Sequence, residues 1–171
     1  VRSQDRYLFT LASLAVRLEN MAVPEMQSKG QGTAIGSNPT PAECPFVVLH
    51  WRMEPGSTIS IHPHIYGNVV TLGLEGEARI QNFEMIGRRD FDAKDTFRVK
   101  RTVEQILSPG GINLVNLDRN YMHGFLAGPA GARGLDITTR VRPRRESPTL
   151  LLAAKPVEAF GSVFEASWSV K

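Results

Sequence analysis

From Phe46 to Val141 the chain is a succession of short β-prone runs with no helical period between them, and this constrains the fold more than any other feature. The runs are Phe46–Met53, Thr58–His64, Asn68–Leu74, Ala78–Phe83, Thr96–Val99, Gln105–Leu107, Ile112–Leu117, His123–Leu126 and Leu135–Val141. Turn signals separate them, among them Pro55-Gly56, Glu75-Gly76, Pro109-Gly110-Gly111 and Gly128-Pro129. Strands this short at this spacing predict a sandwich or a barrel.

The flanks differ. Leu8, Leu11, Leu14, Ala15, Leu18, Met21 and Ala22 recur at helical spacing, which predicts one amphipathic packing helix from about Asp5 to Ala22, ended by Pro24. Residues 27–45 are rich in Gly, Pro, Ser and Thr and read as a long loop or edge segment. The last stretch, from Ser147 to Trp168, has no clear period and reads as a helix, an added strand or a dimer-forming extension. The expected organisation is therefore an N-terminal helix and loop over 1–45, a β domain over 46–141 and a C-terminal extension over 142–171.

With 42% hydrophobic and 22% charged residues, the composition is that of a globular chain and not of a disordered one. The 20 basic residues outnumber the 17 acidic ones only slightly, and the basic pairs are scattered without interleaved aromatics. That pattern predicts solvated surface and no nucleic-acid partner. No apolar run reaches membrane-spanning length, so no membrane partner is expected. Cys44 is the sole cysteine, so no intrachain disulfide can form, which suits a cytoplasmic location. Val1 leaves a processed leader open as an expectation.

Two of the four histidines, His62 and His64, stand two positions apart in PGSTISIHPHIYGNVVTLGLEG. In a strand, residues i and i+2 share a face, so the two imidazoles project together. Such a pair is a bidentate anchor for a first-row divalent metal, and a third ligand from another strand would leave positions open for substrate and dioxygen. A bare His-x-His is equally compatible with surface histidines, or with a core histidine satisfied by backbone.

The spacing around the pair narrows the choice. Gly56 is followed after five residues by His62-Pro63-His64, after four more by Val69, and after a further six by Gly76. This resembles the first motif of the cupin superfamily, which reads Gly, five residues, His-x-His, three or four residues, Glu, six residues, Gly. The two glycines would make tight turns at the ends of the metal-bearing strands. Val69 occupies the glutamate position, and Asn68 beside it would face the other way. In the second motif the match rests on His123, with Asn120 at a glycine position that needs a left-handed turn. Asp118, Ile112 and Ala127 replace the proline, the first glycine and the asparagine of that motif.

The resemblance implies an all-β cupin double-stranded β-helix, a jelly-roll barrel, with His62, His64 and His123 as a neutral three-histidine metal site. Three-histidine cupins without the glutamate look like the thiol dioxygenases, and like certain diketone and ring-cleaving dioxygenases. By that resemblance the enzyme would be a mononuclear Fe(II) oxidoreductase, a dioxygenase acting on a small organic substrate with dioxygen. The Trp51 that precedes the Pro-Gly turn and the histidines adds to the likeness. The Ser-x-His-x-Tyr series of that family does not recur. Its place is taken by Asp136-Ile-Thr138-Thr-Arg140, whose polar alternation would line the pocket without His or Tyr.

Further site candidates follow from these positions. Arg140, or Arg52 on the first strand, would hold a substrate carboxylate with a bidentate fork. Tyr66, on the face shared by residues 60, 62 and 64, and Tyr121, two residues before His123, would either donate to a metal-bound oxygen or pack at the barrel rim. His50 reads as a supporting or structural histidine. Zn, Ni or Mn with non-oxidative chemistry (isomerase, decarboxylase or hydrolase) is the alternative, as is a non-enzymatic cupin that binds a small ligand. A homodimer is an assembly that cupins with such extensions commonly adopt.

Overall fold

A computed structural model describes residues 25–30, 32–37, 46–140, 148–157 and 161–169, and among these the only regular elements are strands. In chain order they are β1 (Gln27–Gly30), β2 (Thr33–Ser37), β3 (Phe46–Met53), β4 (Thr58–Pro63) and β5 (Gly67–Met85), then β6 (Phe97–Leu107), β7 (Ile112–Val115), β8 (Met122–Arg140), β9 (Leu150–Leu152) and β10 (Val163–Trp168). The all-β expectation is met. The helix expected over residues 5–22 lies outside the described residues. None of the described residues forms a helix long and apolar enough to cross a membrane.

The fold is organised by β5 and β8, which are 19 residues each and antiparallel from Gly67↔Arg140 to Phe83↔Met122. Both bend midway, where the register shifts between Gly73 and Glu75 and again between Gly76 and Ala78. Before the bend, the first half of β5 pairs the second half of β8, flanked by β3 and β7. After it, the second half of β5 pairs the first half of β8, flanked by β6 and β4. One pair of long strands thus supplies two sheet layers.

Here the structure corrects the strand boundaries read from sequence. Glu75-Gly76 and Gly128-Pro129 lie inside long strands and end neither of them. Leu74 on β5 and the stretch Gly128 to Gly131 on β8, which lies opposite Glu77 alone, are left out of the register and bend the strands while the ladder resumes beyond them. Gly76 has φ 63°, and a Cβ there would stand 2.1 Å from the Gly131 carbonyl oxygen, so the close crossing of the two bends requires glycine. The described part of the Gly-rich stretch also has order: β1 and β2 form a hairpin, and β2 extends the edge of β3.

Two cores result. Between the layers, Trp51 and Met53 of β3 and Ala132 of β8 pack against Ala78, Ile80, Leu107, Phe125 and Ala127 of the opposite layer. This cluster plugs the bent end of the barrel with aliphatic and aromatic volume. On the outer side, Phe83, Met85, Val99, Tyr121 and Met122 are covered by Leu150, Ala166 and Trp168 of the C-terminal strands. The final segment is therefore added strand: β10 pairs β6, and β9 pairs β10.

Candidate metal centre

The histidines are aimed by an irregularity in β4. Ile59 pairs Phe125 and His62 pairs His123, so Ser60 and Ile61 together oppose the single residue Gly124. This bulge keeps both Ile59 and His62 on the inner face and turns Ile61 out toward the outer core. Gly124 permits the crowding, because a Cβ there would lie 2.6 Å from the Ile61 side chain. The strand ends at Pro63, and the backbone N–H of His64 then donates to the Tyr121 carbonyl at 2.8 Å. That bond holds His64 beside the start of β8.

His62, His64 and His123 come together, their ring centroids 4.7–4.9 Å apart in a near-equilateral triangle. Their ligand atoms all lie within 4.8 Å of one another, and no Asp, Glu or Cys among the described residues joins the group. The Nε2 atoms of His64 and His123 are 2.9 Å apart. Two nitrogens bound to one ion at about 2.1 Å and a right angle stand about 3 Å apart, so this pair already has a chelating separation. The spread of up to 4.8 Å involves His62, which needs a closure of about 2 Å to join them. The donor set fits a divalent ion.

Protonation favours the same use. The Nδ1–H of His62 donates to the Ser60 carbonyl at 2.9 Å, which leaves its Nε2 lone pair free. Nδ1 of His64 and of His123 is buried without a partner, so no hydrogen bond commits either ring to a tautomer. Desolvation lowers all three imidazoles and, with a smaller contribution from the neighbouring histidines, holds His64 and His123 well below 6.5. All three are neutral at pH 7 and can offer lone pairs. Val69, buried against Val115 and Thr138, occupies the position where a carboxylate ligand was expected.

No family model matches the sequence, and no curated protein is similar to it. Solved structures are similar in fold. KdgF from Halomonas sp. superposes with TM-score 0.50 at 17% identity, over 71% of this chain and 89% of that one. An oxalate oxidase gives TM-score 0.53 at 16% identity, over 72% of this chain and 59% of its own. The recombinant pro-11S globulin of pumpkin gives 0.56 at 10% identity, over 76% of this chain but only 31% of the globulin. The fold is that of the cupins.

Within this cupin barrel the histidines rest on an aromatic floor. Phe125 lies 4.7 Å from the His123 ring and 5.4 Å from Trp51, centroid to centroid. Alongside runs a buried polar row that the sequence reading missed in part. Asn82 lies across from His123 and exchanges two hydrogen bonds with Asn113, at 3.1 and 2.8 Å. Asn113 lies across from Thr71, whose hydroxyl donates to Asp136 at 2.6 Å. Burial raises the Asp136 carboxyl to about 6 against the pull of the Thr71 hydroxyl and the Trp51 indole. The signal for Asn82 and Asn113 was present: each is a polar residue in the buried phase of an apolar alternation, as in Ala78-x-Ile80-x-Asn82.

Other candidates fall elsewhere. Tyr121 sits in the outer core, where its hydroxyl oxygen accepts from the Met85 amide at 2.6 Å and Arg89 covers its ring. Of the two roles open to Tyr121, packing is the one it takes, and its phenol does not face the histidines. The strand begins only at Met122, and Asn120 at φ 53° turns the chain before it, so the two-residue spacing to His123 does not set a common face. Tyr66 is partly exposed in the bend after His64, and the bulge at Ser60 breaks the alternation that would have aligned residues 60 to 66. Arg52 is exposed and pairs Arg133 on the outward face, so it does not line the interior. The backbone of Arg140 ends β8, and its side chain is outside the described set. His50 is buried in that outward layer with neither nitrogen bonded. A cleft of about 340 Å³ lies on the outer side between β4 and β9, lined by Ser60, Ile61, Arg79 and Leu152 among others and by none of the three histidines.

Proposed function

We propose that this chain is a mononuclear metal-dependent cupin enzyme that oxidises a small organic substrate with dioxygen, of thiol-dioxygenase-like type. The observation that carries the reading is the triangle of His62, His64 and His123, with no carboxylate among the described residues joining it. Bound there, Fe(II) would supply a Lewis-acidic, redox-active position at which a substrate donor atom and dioxygen meet. The three neutral imidazoles leave the ion's full dipositive charge, which favours an anionic donor such as a thiolate. His62 is partly exposed while His64 and His123 are buried, so access to the centre is from the His62 side. Phe125 and Trp51 close the opposite side and keep water from it.

The test is elemental analysis of protein purified without added metal, followed by oxygen-electrode assays with small thiols, diketones and aromatic acids. Iron near one per chain with substrate-dependent oxygen uptake supports the reading. Metal content that survives replacement of all three histidines removes it.

A second reading keeps the site and changes the chemistry to non-oxidative isomerisation, decarboxylation or hydrolysis with Zn, Ni or Mn. It is favoured by one feature: the stretch from Asp136 to Arg140 lacks the His and Tyr of the thiol dioxygenases. Turnover under anaerobic conditions, with one of those metals co-purified, selects it.

A further inference from the structure

Asp136 is the only carboxylate buried among the described residues. Pairing with Leu49 and Thr71 places it on the inner face of β8, two positions from Gly134, over which Trp51 lies. A buried carboxylate kept for structure is expected to be met by a cation or by several N–H groups. Here the Thr71 hydroxyl serves one oxygen and the Trp51 indole lies against the carboxyl, while Arg133, three residues earlier, points to the other face and pairs Glu75 at 2.8 Å. A carboxylate has about four lone-pair sites, so two neutral donors leave part of its accepting capacity open and no cation meets its charge.

Its surroundings show where that capacity points. The row His123, Asn82, Asn113, Thr71, Asp136 connects the histidine triangle to the carboxyl through strand pairs and hydrogen bonds. Below that row the interior is filled by Trp51, Ile80 and Phe125. A polar wall over an apolar floor matches a small molecule with a polar group at each end. On the described inner face, the group remote from the histidines meets an acceptor and not an arginine.

The geometry points to Asp136 as a substrate-binding residue. Its carboxyl accepts a hydrogen bond from a hydroxyl or ammonium group of a small molecule whose other end is held at His62, His64 and His123. This rests on the metal-site reading and adds a substrate class to it: the remote end carries a donor, not a carboxylate.

The test uses the full chain loaded with Fe(II) under anaerobic conditions, with calorimetric titration of cysteamine, 2-mercaptoethanol, ethanethiol and 3-mercaptopropionate. Metal content is measured on the same samples. Cysteamine and 2-mercaptoethanol should bind about tenfold or more tightly than ethanethiol, as a hydrogen bond to a charged acceptor implies. Asp136→Asn should erase most of the cysteamine preference while metal content and ethanethiol affinity stay unchanged. Should that variant fail to fold, the wild-type series still decides, because 3-mercaptopropionate binding as tightly as cysteamine overturns the proposal. A chain that holds iron but binds all four probes equally overturns this inference alone. A chain that takes up no metal overturns the metal-site reading as well.

Discussion

The Nε2 atoms of His64 and His123 stand 2.9 Å apart although 59 residues separate them. The bond from the His64 backbone N–H to the Tyr121 carbonyl, just beyond the pairing of β4 with β8, holds His64 there, and the bulge at Ser60 and Ile61 brings His62 onto the same face. If the triangle is a metal centre, His64→Ala or His123→Ala should reduce bound metal from about one ion per chain to a small fraction, with far-UV circular dichroism unchanged. His62→Ala should weaken affinity by more than the about 10–100-fold that loss of a partner outside the ligand set costs. Metal content measured by atomic emission checks all three.

Asp136 predicts an unusual pH dependence. Its carboxyl is raised in the folded chain to about 6 from 3.8, so the folded state holds the proton more tightly than the unfolded one. The corresponding stability is fully present below pH 3.8 and is lost as the pH rises through about 6, amounting to about 3 kcal/mol. Asp136→Asn keeps the acceptor for Thr71 and removes the ionisation. It should therefore raise the urea midpoint clearly at pH 8 and little at pH 4. Equal gains at both pH values would count against a buried, protonatable Asp136.

The reciprocal pair Asn82–Asn113 should behave as a unit. Asn113→Ala strands the Asn82 carbonyl oxygen in a fully buried position, at a cost of about 1–3 kcal/mol. Replacing both by Val removes both polar groups together and should cost less than the sum of the single changes. A double-mutant cycle by urea unfolding measures the coupling, and strictly additive effects would contradict the pairing.

Gly134 is a steric requirement of the inner layer. A Cβ there would lie 2.1 Å from Cζ2 of Trp51 and 2.5 Å from the Leu72 carbonyl oxygen. Gly134→Ala must displace the indole and the neighbouring strand together, so a loss of about 3 kcal/mol is expected. The near-UV circular dichroism of Trp51 should fall in parallel. A midpoint within error of the unmodified chain would show that the strand yields without penalty.

Much of the barrel was legible as local pattern. The run Phe46–Met53 is β3 as read, and Thr58–His64 overshoots β4 by one residue. Apolar alternation and glycine spacing encode which residues extend and which face they take, and these are properties of a few neighbouring residues. Reading failed where a local signal has two structural outcomes. Glu75-Gly76 and Gly128-Pro129 carry turn chemistry, yet each serves as a bend within a strand because long-range pairing resumes beyond it. Tyr121 failed for a related reason: periodicity cannot be carried across the left-handed Asn120.

The sequence by itself determined that the region from Phe46 onward is built of strands, that His62 and His64 lie together, and that Val69 offers no carboxylate beside them. These follow from residue type and from spacings of a few positions. Only the tertiary structure decided that His123 completes the triangle, that Tyr121 and Arg52 turn away from it, and that Asn82, Asn113, Thr71 and Asp136 line up beside it. Convergence depends on the register between strands far apart in sequence and on bulges that shift it by one residue. A shift of one exchanges the two faces of a strand, and no local pattern records it.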